Sequence, residues 1–205
     1  MTEKEKMLAG KIYDPNDGEL AAIRRKAHNL SKRYNDTFED ETEKRAEILN
    51  ELLPDKGEGT YLQGPVYFDY GIFTKVGKNF FANFNLTVLD VCPVTIGDDV
   101  FVGPNVSILT PKHPLCHEDR NAYKSVDGYM TDKEYGAPIT IGDNCWIAGN
   151  VTILAGAKIG AGCVIGAGSV VTGEIPPDSL AYGNPCRAVR KITAKDKLEY
   201  KKELF

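Results

Sequence analysis

"IGDNCWIAGNVTILAGAKIGAGCVIGAGSVVTGEIP", residues 141–176, divides into six-residue units without a slip. An aliphatic residue opens each unit, at Ile141, Ile147, Ile153, Ile159, Ile165 and Val171, and the fifth place is small or modest in size: Cys145, Val151, Ala157, Cys163, Ser169. Ile96, Val102 and Ile108 keep the same rhythm earlier in the chain. Val76, Ala82 and Val88 precede them, with an eight-residue step from Val88 to Ile96. A period of six fits neither a helix nor the strict alternation of an amphipathic strand. It suits a short strand plus a turn, with one aliphatic residue aimed inwards and glycine or Asp-Asn where the chain bends. Three such sides close a coil, and stacked coils share a continuous aliphatic core. The expected fold is mainly β.

The remaining composition bounds the possibilities. The chain has 205 residues, 42% apolar and 26% charged, with a net charge of −4. A mildly acidic chain has no electrostatic reason to seek nucleic acid or an anionic membrane surface. No apolar run approaches the roughly 20 residues of a spanning helix. "MTEKEKMLAG" lacks the apolar core of a secretory signal. Five cysteines with no CxxC pair argue against a disulfide framework or a thiolate zinc site, so a reducing cytoplasm is the expected compartment.

Residues 1–55 follow another rhythm. "DGELAAIRRKAHNLSKRYND" (17–36) has helical spacing, with Leu20, Ile23, Ala27, Leu30 and Tyr34 on one face. "DETEKRAEILNELL" (40–53) places Ala46, Ile48, Leu49, Leu52 and Leu53 similarly and ends at Pro54. The expected organisation is a helical segment over 1–55, the coil over 56–186 and a C-terminal tail over 187–205, whose stretch from 193 onward is read as a short helix. The helices, coil and cap are read as one cooperative unit.

From Ile108 to Ile141 the step is 33 residues, which is not a multiple of six. A loop is therefore pushed out of the coil over about 110–138, and long loops in compact domains are usually functional or disordered. This one carries two of the three histidines, His113 and His117, with Tyr123, Tyr129 and Tyr135. Histidine is the side chain best suited to taking a proton near neutral pH and passing it on. His113 stands at the loop's root, where the rigid coil would hold it; the bland reading makes both loop residues ordinary surface histidines. His28, inside the first helix pattern, is read as structural or exposed.

"ANFNLTVLDVCPVTIGDDVFVGPNVSILTPKHPL" (82–115), "EYGAPITIGDNCWIAGNVTI" (134–153) and "GAGSVVTGEIPPDSLAYGNPCRAVRKI" (166–192) closely resemble the maltose and galactoside O-acetyltransferases among the hexapeptide-repeat acyltransferases. "EKEKMLAGKIYDPNDGEL" and "RYND" resemble the N-terminal helical part of that family. The resemblance runs from about residue 3 to 192, and its main departure is the stretch 116–133, longer than the family loop. It implies a left-handed parallel β-helix; parallel crossovers are ordinarily right-handed, so the hand comes from the resemblance alone.

The resemblance also implies roles. His113, in the "HP" motif, matches the catalytic base of a direct acetyl transfer from acetyl-CoA to a sugar hydroxyl, with no acyl-enzyme. Cys145 and Cys163 are then packing residues. Asn83 matches a polar residue where acceptor and acetyl-CoA meet, against a turn or an asparagine ladder in the coil. Asp69 and Asp17 match acceptor contacts; Asp17 competes with a helix N-cap role, and the alignment can slip to Asp14. Glu134, in "KEYGAP", matches a maltose-type glutamate and is expected near His113, orienting the imidazole or touching the acceptor. Trp146, the only tryptophan, matches a residue beside the cofactor channel, against core packing. Gly149, Ala167 and Thr172 match the groove lining, and Arg187 and Arg190 the cations near the nucleotide phosphates. Gly173 stands where the family often has a lysine, a role Lys191 is a candidate to take over. A homotrimer with sites between subunits is implied, with no metal. Maltose and glucose are the favoured acceptors because "LDVCP" and "KEYGAP" lean to maltose-type members.

Three other readings stay open. A zinc enzyme on the same coil needs three converging histidines, and only His113 and His117 are neighbours in sequence. A scaffold has no need of His113, Asn83 and Trp146 together. A hexapeptide acetyltransferase with another hydroxyl acceptor (a galactoside, a xenobiotic or a lipo-oligosaccharide precursor) is compatible with the unusual 116–133 stretch.

Overall fold

The computed structural model describes residues 1–204; Phe205, the last residue of the expected tail, lies outside them. Three parallel sheets form the sides of a triangular coil of about six turns. Sheet I contains Tyr61–Leu62, Phe81–Ala82, Phe101–Val102, Trp146–Ile147, Val164–Ile165 and Ser179–Gly183. Sheet II contains Val66–Phe68, Leu86–Leu89, Ser107–Leu109, Thr152–Leu154 and Val170–Val171. Sheet III contains Thr74–Val76, Val94–Ile96, Ile139–Ile141, Lys158–Ile159 and Glu174–Ile175.

Hexads that turn from sheet III to sheet I, or from sheet I to sheet II, share one internal logic. The first residue points inwards and stacks in register on its counterpart a coil away, as Val76, Ile96, Ile141 and Ile159 do in sheet III. Burying one such aliphatic side chain contributes roughly 1.5–3 kcal/mol. The fourth residue takes a positive φ, which asparagine, aspartate and glycine tolerate best. Asn79, Asp99, Asn144, Gly162 and Asp178 do this between sheets III and I, and Asn85, Asn105, Asn150 and Gly168 between sheets I and II. Their side chains also link coils, Asn85 Nδ2 donating to Asn105 Oδ1 at 2.9 Å and Asn79 Nδ2 to Asp99 Oδ1 at 2.8 Å. The fifth residue is again buried, Cys145 and Cys163 among them, and burial pushes the Cys145 thiol up to about 11. Both cysteines are packed inside the coil.

The corner between sheets II and III differs in every coil. It holds residues 69–73, then 90–93, then the loop 110–138, then 155–157, and finally only 172–173. At 90–93 Asp90 is fully buried, its Oδ1 accepting from the Tyr70 N–H and its Oδ2 from the Thr74 hydroxyl, both at 2.8 Å. Burial pushes that carboxyl up to about 6. Thr110 locks the point where the loop departs: its hydroxyl accepts from Cys92 N–H at 2.9 Å and donates to Leu89 O at 2.8 Å.

Helix α1 (Glu3–Leu8) starts in a Thr2/Glu5 capping box. Helix α2 (Gly18–Asn35) buries Leu20, Ala27, Leu30 and Tyr34, and α3 (Thr42–Leu52) buries Ile48, Leu49 and Leu52. Residues of α2 and α3 join the coil residues in one apolar core. Ala46, expected on the apolar face of α3, is exposed. Arg45 is buried in that region instead, because its guanidinium finds the Tyr34 hydroxyl at 2.9 Å and the carbonyls of Leu62 and Gln63 at 2.6 and 3.1 Å. At the other end, Cys186–Lys191 turns back antiparallel on Ser179–Gly183. The short helix expected from 193 onward is instead three single 3₁₀ turns, Ala194–Asp196, Leu198–Tyr200 and Lys202–Leu204. Asp196 caps the first and is held by Arg190, so the chain is tied at one point without burying a continuous helical face.

Two glycines test this account of stacking. A Cβ on Gly97 would lie 2.7 Å from the backbone nitrogen of Asp143 in the next coil, whereas at Gly156 the nearest neighbour is the Ala137 Cβ at 3.7 Å and only the φ of +86° resists a side chain. Gly97→Ala is expected to cost about 2–3 kcal/mol by overpacking, more than the roughly 1–2 kcal/mol of Gly156→Ala. Urea unfolding of both variants reads the order, and a reversed order would contradict the coil-on-coil contact.

Candidate active site

His113 stands at the irregular corner between sheets II and III, one residue beyond a short strand, Pro111–Lys112, that pairs antiparallel with Tyr135–Gly136. These paired strands form the root of the loop and bring residues 132–134 back beside the histidine. Asp132 Oδ2 lies 3.7 Å from His113 Nδ1 and Glu134 Oε1 lies 3.9 Å from His113 Nε2. Both are ion-pair distances, too long for hydrogen bonds. The imidazole is exposed, so one face remains open to a reactant.

Glu134 is the deeper carboxylate. Burial pushes its pKa upward; a hydrogen bond from the Tyr13 hydroxyl at 2.5 Å and the His113 charge oppose that, while Asp69 and Asp132 add to it. Tyr13 is itself buried, and its hydroxyl is raised by burial and then by Glu134. The backbones of Tyr13 and Glu134 also pair, so the N-terminal segment braces the loop root directly.

The long stretch 116–133 has structure of its own. A short helix, α4 (His117–Arg120), leads to a hairpin of Tyr123–Lys124 and Met130–Thr131. Asp14 clasps that hairpin, accepting from the Tyr129 hydroxyl at 2.6 Å and from the Thr131 hydroxyl. Burial works to raise the Asp14 carboxyl, but the hydrogen bonds from Thr131, Tyr129 and Asn16 outweigh it and hold the group below its ordinary value. His117 is exposed on α4 beside Glu118.

The other expected residues fall into separate places. Asp69 lies at the same corner as His113, where its charge acts on Glu134 and Tyr13, and its Oδ1 is 3.3 Å from His28 Nε2 on α2. Thr172 and Gly173 occupy that corner two coils further on. Asp17 is the N-cap of α2, accepting from the Glu19 and Leu20 N–H groups; Asp14 is the carboxylate that touches the loop. Asn83, Gly149 and Ala167 lie at the corner between sheets I and II, where Asn83 Oδ1 accepts from Phe84 N–H in a local turn. The asparagine ladder runs through the neighbouring Asn85. Trp146 is exposed on the outer face of sheet I and not in the core, with Arg187 and Arg190 on the turned-back strand at the end of that sheet. Arg187 and Arg190 are both exposed, and Arg190 holds Asp196 at 2.7 Å. One chain thus brings His113 beside Asp132 and Glu134, with Asp69 acting by its charge on Glu134. It leaves Trp146 and the arginines on the side of the triangle that faces away from that corner.

Two members of the cluster escape a reading by motif. Asp132 is two residues before Glu134, and extended backbone puts alternate residues on one face, so that spacing was a usable signal. Tyr13 reaches Glu134 across 121 residues of sequence, and no local pattern marks it. Among the described residues, no three His, Cys, Asp or Glu side chains converge as a metal site would need. No helix among them is long and apolar enough to cross a membrane.

Comparison with known proteins places this geometry. Residues 6–57 match the maltose acetyltransferase hexapeptide capping motif, residues 138–173 match six repeats of the bacterial transferase hexapeptide, and residues 93–110 match the hexapeptide repeat of succinyl-transferase. The galactoside O-acetyltransferase of Escherichia coli K12 is 41% identical over 203 residues, covering 99% of this chain and 96% of the relative. The crystal structure of a maltose O-acetyltransferase from Clostridium difficile 630 superposes with a TM-score of 0.87 at 48% identity, over 94% of this chain and 98% of that one. A hexapeptide-repeat acetyltransferase from Vibrio cholerae O1 biovar eltor, solved in complex with acetyl coenzyme A, gives a TM-score of 0.81 at 34% identity over 94% of this chain and all of the other. With its coil read as a left-handed parallel β-helix, this chain belongs to the maltose and galactoside O-acetyltransferase family of hexapeptide-repeat acetyltransferases.

Proposed function

We propose that the protein moves the acetyl group of acetyl-CoA directly to a hydroxyl of a sugar such as maltose or glucose, with His113 as the general base. The observation that carries this reading is the imidazole held at the rigid loop root between Asp132 and Glu134, with its face open. His113 takes the proton of the acceptor hydroxyl as the oxygen attacks the thioester carbonyl. The tetrahedral intermediate then collapses, the carbon–sulfur bond breaks, and the proton passes to the thiolate, leaving the acetyl ester and CoA. General acid–base help of this kind contributes roughly 10²–10⁴-fold. Glu134 orients the imidazole, and Asp69 accepts hydrogen bonds from acceptor hydroxyls. The five cysteines, all free thiols, have no part in the transfer and suit a reducing cytoplasm.

Acetyl-CoA binding is supported by the Vibrio cholerae relative. On this chain Trp146 and the small residues Gly149 and Ala167 offer a surface for the pantetheine arm near Asn83. Arg187 and Arg190 offer cations for the phosphates, while Thr172 and Gly173 belong to the corner of His113. Because the two sets lie on different sides of the triangle, the complete site takes sheet I from one copy and the loop corner from a neighbour. The aromatic file Tyr61, Phe81, Phe101 and Trp146, in register along sheet I with Phe81 half-buried and the others exposed, supports such packing. The assembly proposed is a homotrimer, and light scattering is expected to give about three times 22.5 kDa. A monomeric mass would reject it.

The activity is tested by following CoA release from acetyl-CoA with a panel of sugars, read from the thioester absorbance. His113→Ala is expected to lower sugar-dependent turnover by about 10²–10⁴-fold while CoA binding persists; sugar turnover that survives the substitution would remove His113 as the base. Glu134→Gln removes a carboxyl that burial raises beside the imidazole, and it is expected to change the pH profile of kcat/KM. An unchanged profile would reject the coupling.

A further inference from the structure

We propose that Tyr13 is a positioning residue for the transfer, its hydroxyl acting through Glu134 to set the imidazole of His113. The inference rests on the reading of His113 as the base and deepens it.

Tyr13 lies in the connector between α1 and α2. It is 2% exposed and packs with Met7, Leu20, Tyr70, Val91 and Cys92 in a second small core, separate from that of the coil. Both helices and the corners at 69–73 and 90–93 contribute to this core. A tyrosine buried so completely needs a partner for its hydroxyl. Glu134 is that partner, its Oε2 accepting at 2.5 Å.

The connector is fitted to the loop root independently of the hydroxyl. Tyr13 N–H donates to Glu134 O at 2.9 Å, and Tyr13 O accepts in return from Glu134 N–H at 3.3 Å. At Gly10, where φ is +69°, a Cβ would lie 2.7 Å from Gly136 O. Further along the connector, Asn16 Nδ2 donates to Met130 O at 3.3 Å. The backbone therefore fixes where the Tyr13 ring stands, and the hydroxyl is left to act on one carboxylate.

Glu134 uses its two oxygens on different neighbours. Oε2 receives the tyrosine, and Oε1 faces His113 Nε2 at 3.9 Å. Anchoring the first oxygen sets the carboxylate plane, which decides how the second meets the imidazole. Charge is governed as well as angle. Burial pushes the Glu134 carboxyl upward with Asp69 and Asp132 adding to it, whereas the Tyr13 bond and the His113 charge oppose it. Burial pushes Tyr70 up to about 12 and Cys92 up to about 11, so neither adds a charge of its own. The Tyr13 hydroxyl is raised by burial and by Glu134 and stays a donor. A donor aimed at the ionised form favours that form, so Tyr13 helps to keep Glu134 a carboxylate beside the base.

Tyr13→Phe removes the hydroxyl and keeps the ring and both backbone bonds. It is expected to lower kcat about tenfold, within the reach of one charge-assisted hydrogen bond, with KM for acetyl-CoA unchanged. The loss is expected to deepen as pH falls, because without the donor Glu134 takes up its proton at a higher pH. Made on Glu134→Gln, the same substitution is expected to cost at most about twofold. In NMR of the whole protein, the His113 imidazole signal, assigned by its loss in His113→Ala, is expected to move in Tyr13→Phe while that of His117 stays. An unmoved His113 signal, an unchanged kcat, a loss of equal size at every pH, or an equally large loss on Glu134→Gln would each overturn the inference. Turnover surviving His113→Ala would overturn it through the base reading beneath it, a result that no variant of Tyr13 can mimic.

Discussion

Each coil passes its backbone hydrogen bonds to the next in parallel register, and every other feature of the molecule accommodates that stacking. It fixes which residue faces inwards, because Ile141 lies over Ile96 and Ile159 over Ile141. It also demands a sharp, repeated turn at two corners, met by left-handed Asn, Asp or Gly in every coil. The third corner is released from this demand. Leu109 keeps its partners in sheet II and Ile139 keeps Val94 in sheet III, whatever the chain does between them. A long segment is inserted there while the inward side chains on either side keep their register.

The same corner concentrates negative charge in a chain that is only mildly acidic. Asp132 and Glu134 flank one imidazole and Asp69 acts by its charge on Glu134, while Asp90 sits buried at the 90–93 corner with its carboxyl raised to about 6. These acids are held by different means. Glu134 is fixed by Tyr13, Asp90 by a backbone N–H and a threonine, and Asp69 faces the histidine of α2. The helical segment before the coil therefore braces the histidine site as well as covering the core. Asp14 extends the bracing to the inserted hairpin.

The coil was legible in the sequence because its rule is local: six residues carry an inward aliphatic, a tolerant turn residue and a small second inward residue. Interruptions of the rhythm were equally legible, and they marked the corner where His113 lies. Arg45 was not, since its burial depends on the Tyr34 hydroxyl and on carbonyls of residues 62 and 63. Tyr13 was missed for the same reason, its partner being distant in sequence. Asp17 had two readings in the sequence, and its hydrogen bonds to Glu19 and Leu20 display the capping one. Trp146 shows the limit of hexad counting, which put it next to an inward position but said nothing of what lies outside the coil.

The strand Cys186–Lys191 runs against the grain of sheet I. A parallel rung ending there would expose a ladder of unmatched amides to which another molecule could add end to end, then another. Reversing direction at Gly183 lays an antiparallel strand over the end of sheet I, so a further coil meets no parallel rung there. The chain's own reversal thus gives a repeat that could otherwise template a fibre a defined last rung in sheet I.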